Sequence, residues 1–117
     1  MEYKYKKEHS EEKRIQESQT LIQNYRDRIP VICEKDPNSH LNTIGKTKFL
    51  CPRDMNISQF NFLIRTKLNL VQEVSIYLLI NGKKVIGGDE TMQYLYQRFK
   101  DNDGFLYITY SSEIIWG

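Results

Sequence analysis

The sequence predicts an α+β domain: a mixed four-stranded sheet crossed by one helix and preceded by an N-terminal helical extension. Three observations carry this. Hydrophobic periodicity changes along the chain from helical to strand-like, back to helical, and again to strand-like. Asn56 with Gln59 three residues on has capping-box spacing and opens an apolar stripe, so one long helix sits mid-chain. Phe105-Leu106-Tyr107-Ile108-Thr109-Tyr110 is nearly all apolar or aromatic behind an Asp103-Gly104 turn. Such a run fits a strand buried on both faces, and therefore a central one.

A length of 117 residues points to one domain. A chain of that size buries roughly 65% of its unfolded surface, enough for one core without staples. The net charge is only +2. Acidic and basic side chains balance over residues 1–27, but residues 44–67 carry Lys46, Lys48, Arg53, Arg65 and Lys67 against Asp54 alone. A positive field of that kind attracts acidic peptides or phosphates, and it is equally common on a solvated face. Cys33 and Cys51 lie in apolar strand-like runs and read as reduced, half-buried thiols of a cytoplasmic protein. The opening residues are not an apolar leader. No run approaches the roughly 18 apolar residues of a membrane span, so membrane association needs a partner or a covalent lipid.

The elements follow in order. Residues 1–10 are polar, with Tyr3 and Tyr5 as candidate anchors. Ser10 followed by Glu11-Glu12 caps a helix that runs to about residue 25. Its apolar residues, Ile15, Leu21, Ile22 and Tyr25, form a thin stripe, so it lies on a surface. Residues 28–34 form a strand whose Pro30 must turn its missing donor away from a partner. Asp36-Pro37-Asn38-Ser39 is a turn cluster. A short second strand covers 48–51 and stops at Pro52. The long helix follows, with Ile57, Phe60, Ile64 and Leu68 on one stripe and Leu63 widening it. A third strand spans 75–80, and Asn81-Gly82 signals a hairpin returning through 83–86. Gly87-Gly88-Asp89 reads as a flexible joint. A short helix over 91–99 faces the core with Met92, Leu95, Tyr96 and Phe99. The last strand begins at Phe105. With the last strand beside the first and a helix across one face, the arrangement is the β-grasp of ubiquitin, which crossover rules allow. The expected division is a helical extension over 1–26, a β-grasp domain over 27–110 and a tail over 111–117.

At this level of detail the sequence resembles the autophagy-related protein 8 group of ubiquitin-like modifiers, which includes the GABA-receptor-associated protein and the microtubule-associated light-chain proteins. The resemblance rests on Glu12-Lys13-Arg14, Arg28-Ile29-Pro30-Val31-Ile32-Cys33-Glu34-Lys35, Lys48-Phe49-Leu50-Cys51-Pro52, Gln59-Phe60-Asn61-Phe62-Leu63-Ile64-Arg65, Leu95-Tyr96 and the segment 103–111. It implies a docking surface for aromatic-x-x-aliphatic peptides beside strand 2. There, by resemblance, a first pocket is walled by Glu17, Leu21, Pro30, Ile32, Lys48, Leu50 and Phe105. A second lies between Phe49, Cys51, Pro52, Met55, Phe60 and Leu63. Arg28, Lys46 and Lys48 meet acids that flank the peptide. The residues support this independently, because strand alternation sends Lys48 and Leu50 one way and Phe49 and Cys51 the other. They also admit a plainer reading: edge lysines guard against aggregation, and Phe60 and Leu63 have helical core spacing.

The resemblance further implies a conjugation site at Gly117. An ATP-dependent activating enzyme and a conjugating enzyme would join it to phosphatidylethanolamine, in some members after trimming by a cysteine protease. The protein is then a substrate and not an enzyme, without metal or cofactor, a monomer when free, cytoplasmic and bound to autophagosomal or related vesicles when lipidated. Tyr110 and Trp116 fit either a tail read by other enzymes or ordinary packing. Ser10-Glu11 stand where the family usually has Pro-Phe, and Gly87-Gly88 where it often has Pro-Pro. Three other classes stand beside this reading. An unconjugated peptide-binding module in membrane trafficking is the alternative. Nucleic-acid binding through 44–67 ranks low at this charge. Catalysis ranks lowest, since His9 and His40 lie in polar loops and Cys51 has no partner pattern.

Overall fold

The computed structural model describes residues 2–113. Two helices come first, α1 (Lys4–Glu8) and α2 (Glu11–Asn24). They are followed by β1 (Arg28–Lys35), β2 (Lys48–Pro52), α3 (Ile57–Leu68), β3 (Tyr77–Ile80), β4 (Lys84–Val85), α4 (Met92–Phe99) and β5 (Leu106–Ser111). The strands form one sheet in the order β2-β1-β5-β3-β4. β5 runs parallel to β1 and antiparallel to β3, and β1 is antiparallel to β2. The expected β-grasp is therefore present. Its sheet has five strands rather than four, because the return from Asn81-Gly82 pairs with β3 for two residues. Asn81 and Gly82 both have positive φ (54° and 71°), and Lys83 N–H closes the turn on the Ile80 carbonyl at 2.9 Å. That backbone matches the twist of a hairpin.

β5 is buried along its whole length, and its alternation serves two layers. Leu106, Ile108 and Tyr110 face α3 and α4 in a core with Val31, Phe60, Ile64 and Leu95. Phe105 and Tyr107 face the other way, against Tyr3, Tyr5 and Ile32, with Leu21 packed on the rim. The near-continuous apolar run is the consequence of covering both faces. Pro30 fits between these strands because β1 amides alternate sides. Cys33 N–H points to Thr47 on the β2 side, so the position of Pro30 faces β5, whose pairing begins only at Val31.

The capping box on α3 is complete: Asn56 accepts from Gln59 N–H and Gln59 returns the bond, each at 2.9 Å. Gly87-Gly88 is not a free joint. The loop supplies carbonyls to the α3 amides, Gly88 to Ser58 at 2.9 Å and Glu90 to Ile57 at 3.0 Å. A Cβ on Gly88 would sit 2.4 Å from the Ser58 hydroxyl, which would have to turn away to admit it.

α2 docks differently from the sequence reading. It lies on the surface as expected, but Tyr25 is exposed and the face turned inward carries Arg14, Ser18 and Leu21. Those positions are i, i+4 and i+7, a helical stripe that is largely polar. Ser18 Oγ donates to the Asp103 carbonyl at 2.5 Å, and Arg14 pairs with the Asp103 carboxylate. α1 is held by a different set. The Glu34 carboxylate accepts the backbone N–H groups of Lys4 and Tyr5 (2.7 and 2.9 Å), and the Tyr3 hydroxyl lies 2.6 Å from Thr109 Oγ1.

Candidate functional site

β2 lies at the edge of the sheet, with one side paired to β1 and the other carrying no strand among the described residues. Its burial alternates: Lys48, Leu50 and Pro52 are half-buried, Phe49 and Cys51 buried. The register pairs Leu50 with Pro30 and Lys48 with Ile32, which puts these four on the α2 face. Phe49 and Cys51 enter the α3 core with Phe60, and Met55 and Leu63 pack on its margin. Most of each expected set is thus brought together, one on each face of β2; Pro52, expected with Phe49 and Cys51, shares the alternation of Lys48 and Leu50 and falls on the other side.

On the α2 face, Glu17 is the meeting point. Its carboxylate accepts from Lys48 Nζ and from the Tyr5 hydroxyl. Tyr5 is a wall that sequence reading placed only as an anchor. Its ring meets Phe105 edge-on at 5.3 Å, and Lys48 lies 5.7 Å from its centre. Ile32 and Phe105 are fully buried beneath and Pro30 is buried beside them, so Leu21 and Leu50 form the accessible margin. The Glu17–Lys48 pair is about one-third exposed, which limits its contribution to about 0.2–1 kcal/mol.

On the α3 face, Phe49 meets Phe60 edge-on at 5.6 Å and carries two cations, Lys46 and Lys67, each 5.7 Å from its ring centre. Lys67 was not among the expected flanking residues. It reaches the site from the last turn of α3, eighteen positions from Phe49; the sequence shows it in the basic 44–67 stretch but does not place it at Phe49. Arg28 pairs with Pro52 at one end of β2, and Lys48 with Ile32 at the other. Burial pushes the Cys51 thiol up to about 12, against the lowering fields of Arg28 and Lys46. A thiol so protonated is a wall and not a nucleophile.

Hollows lie elsewhere as well. One of about 660 Å³ sits beside α1, Glu34 and Thr47, and one of about 400 Å³ between α3 and the β3–β4 hairpin beside exposed Phe62. Neither coincides with the two faces of β2. Tyr110, left open between tail and packing, is fully buried in the core. Gly117 and Trp116 lie outside the described residues. Among the described residues no group of three or more His, Cys, Asp or Glu could hold a metal ion, and no helix is long and apolar enough to cross a membrane.

A β-grasp sheet with two helices packed on its second face and an open second strand defines a ubiquitin-like domain with a helical extension. Comparison with known proteins gives the group. Residues 13–117 match the family described as "Autophagy protein Atg8 ubiquitin like". The chain is 43% identical over 117 residues to Autophagy-related protein 8 of Coccidioides immitis, covering all of this chain and 99% of that protein. The same identity holds for Autophagy-related protein 8 of Aspergillus niger, with 98% of that protein covered. The crystal structure of Trypanosoma brucei ATG8 superposes with a TM-score of 0.91 at 34% identity, covering both chains completely. The chain belongs to this family of ubiquitin-like autophagy proteins.

Proposed function

We propose that this chain is a modifier joined through the Gly117 carboxylate to the amino group of phosphatidylethanolamine, and that it serves autophagosome formation while docking aromatic-x-x-aliphatic peptides of cargo receptors along β2. The single observation that supports docking best is the edge position of β2 with oppositely facing half-pockets. An extended peptide added there gains main-chain hydrogen bonds and can place alternate side chains on either face. The aromatic anchor goes to the Leu21 and Leu50 margin, over buried Pro30, and the aliphatic one to the Met55 and Leu63 margin. Arg28 and Lys46, from the two ends of β2, together with Lys48 and Lys67, meet acidic flanks and act mainly on association rate.

The family match extends through Gly117, which supports the conjugation half. An activating and a conjugating enzyme supply the chemistry, with a processing protease where residues follow the glycine. This chain supplies only the carboxylate and the surfaces they hold. Two acyl chains attached this way anchor a domain stably where one would not. The free form is a cytoplasmic monomer and the conjugate resides on autophagosomal membranes.

Reconstitution with activating enzyme, conjugating enzyme, ATP and liposomes containing phosphatidylethanolamine tests the proposal. A thioester and then a lipid-sized mass gain are expected, both absent after deletion of Gly117. Peptide binding without any thioester would replace it with the unconjugated module.

A further inference from the structure

The root of the C-terminal tail is gripped by a loop that precedes it by some seventy residues. The connection 36–47 between β1 and β2 far exceeds the about 2–5 residues that join most antiparallel neighbours, and loops of such length tend to have a task of their own. Here the loop is spent on β5. Asp36 N–H donates to the Tyr110 carbonyl at 2.9 Å. The Tyr110 hydroxyl donates to the Asn42 carbonyl at 2.8 Å and accepts from Ile44 N–H at 3.0 Å. One residue past the end of β5, Ser112 N–H donates to Ser39 Oγ at 3.3 Å, and the two serine hydroxyls lie 3.4 Å apart. Ser39 is itself fixed. Its hydroxyl also accepts from Leu41 N–H, its carbonyl accepts from Lys35 Nζ at 2.9 Å, and it is 6% exposed.

We propose that loop 36–44 is a clasp that sets the direction in which the tail leaves the body, with the Tyr110 hydroxyl as its pin and the Ser39 hydroxyl as its last contact. Ser39 and Tyr110 are then positioning residues for the acyl transfer at Gly117. This rests on the conjugation reading above. In that transfer the Gly117 carbonyl carbon leaves the thioester sulfur and bonds to the lipid amine. The C–S bond breaks, a C–N bond forms, and the amine proton ends on the released thiol. Five residue steps separate Ser112 from Gly117, at most about 17 Å, so a departure fixed at Ser112 limits the volume in which the reacting carbon can be presented. Restricting that angle raises the fraction of encounters that are productive.

The test uses the full chain with Ser39→Ala and Tyr110→Phe. Amide exchange followed by NMR should speed up at least fivefold at Ser112 in both variants, with the Cys33 and Ile108 amides unchanged. In the reconstituted lipid transfer, kcat should fall three- to tenfold with KM and peptide affinity within twofold of the parent. Ser39→Ala spares the aromatic core and guards against general destabilisation by Tyr110→Phe. Ser112 exchange within twofold of the parent in both variants overturns the clasp. Faster exchange with an unchanged kcat overturns the positioning role. A parent chain that forms no lipid adduct overturns the conjugation reading and the positioning role with it, while the exchange data still judge the clasp.

Discussion

The Asp103 side chain accepts three hydrogen bonds and has no accessible surface. One carboxylate oxygen accepts from Arg14 Nε at 2.8 Å and from the Tyr107 hydroxyl; the other accepts from Phe105 N–H at 2.9 Å. Burial, and then the hydrogen bond to this carboxylate, push the Tyr107 phenol far above its ordinary range. Arg14 is nearly buried and also donates to the His9 carbonyl at 2.7 Å. Removing one partner of such a pair leaves the other charge uncompensated, at a cost of about 3–5 kcal/mol. Asp103→Asn keeps the shape but removes the charge and turns one acceptor into a donor, so urea unfolding should show a loss near about 3 kcal/mol; a loss under about 1 kcal/mol would mean that the pair is not formed. None of this was legible in the sequence. Arg14 and Asp103 are 89 positions apart. A search for apolar stripes passes over a helix face made of Arg14 and Ser18. Even the Asp103-Gly104 turn showed only half its meaning. Gly104 has φ +92°, and a Cβ there would lie 2.4 Å from Ser18 Oγ, so the turn residue is also where α2 docks.

At the scale of elements, legibility followed local physics. α3 announced itself through its cap and stripe, and β5 through its unbroken apolar run, because both signals are short-range. The two faces of β2 were legible from alternation alone, whereas the contributions of Tyr5 and Lys67 came from elements that only the tertiary fold brings near. That difference changes which variant tests docking. Phe49 is a core residue, so Phe49→Ala would cost about 3–5 kcal/mol of stability and confuse the result. Leu50 is half-buried at the margin and is the cleaner probe. Leu50→Ala should weaken an aromatic-x-x-aliphatic peptide at least tenfold and Lys46→Ala less than fivefold, since buried anchors outweigh rim charges. Calorimetric titration giving the opposite ranking would rule out the two-pocket reading. α1 invites a second prediction. Burial alone would raise the pKa of Asp101, but the 2.6 Å bond from Lys6 and the amide of Asp103 hold it below the ordinary range. A carboxylate depressed in the fold stabilises it above its unfolded pKa of about 3.9, and that contribution fades as pH falls from there towards the folded value. Both side chains are partly exposed, so the contribution stays under about 1 kcal/mol. Between pH 5 and 3 the urea midpoint should fall less steeply in Asp101→Asn than in the parent; parallel slopes would show that Lys6 does not hold Asp101.

The whole molecule is one sheet with unequal layers on its two faces. The α3–α4 side is a broad apolar core running from Ile44 and Phe49 across to Ile80 and Met92. The α1–α2 side is a small aromatic cluster of Tyr3, Tyr5, Ile32, Phe105 and Tyr107, fastened by polar ties to Glu34, Thr109, Asp101 and Asp103. Stability need not be uniform across such a structure, because elements with fewer buried apolar contacts open at lower free energy. The proposed boundary near residue 26 falls where the two layers meet in sequence, between α2 and β1. Native-state amide exchange in increasing urea should therefore divide the chain. Amides inside α2, at Gln19 to Gln23, should exchange through an opening with a small denaturant dependence, while those of Val31, Cys33 and Ile108 should exchange only with global unfolding. Opening the smaller layer uncovers Ile32, Phe105 and Tyr107, so it should be accompanied by binding of a hydrophobic dye while the sheet stays protected. If α2 and β5 amides merge onto one isotherm at low urea, the extension and the β-grasp are a single cooperative unit and the boundary has no thermodynamic meaning. If they separate, the layer that walls one half of the β2 edge is also the layer that detaches first. Peptide affinity would then track the population of closed α1–α2, and Asp103→Asn should weaken docking from a distance by loosening that layer.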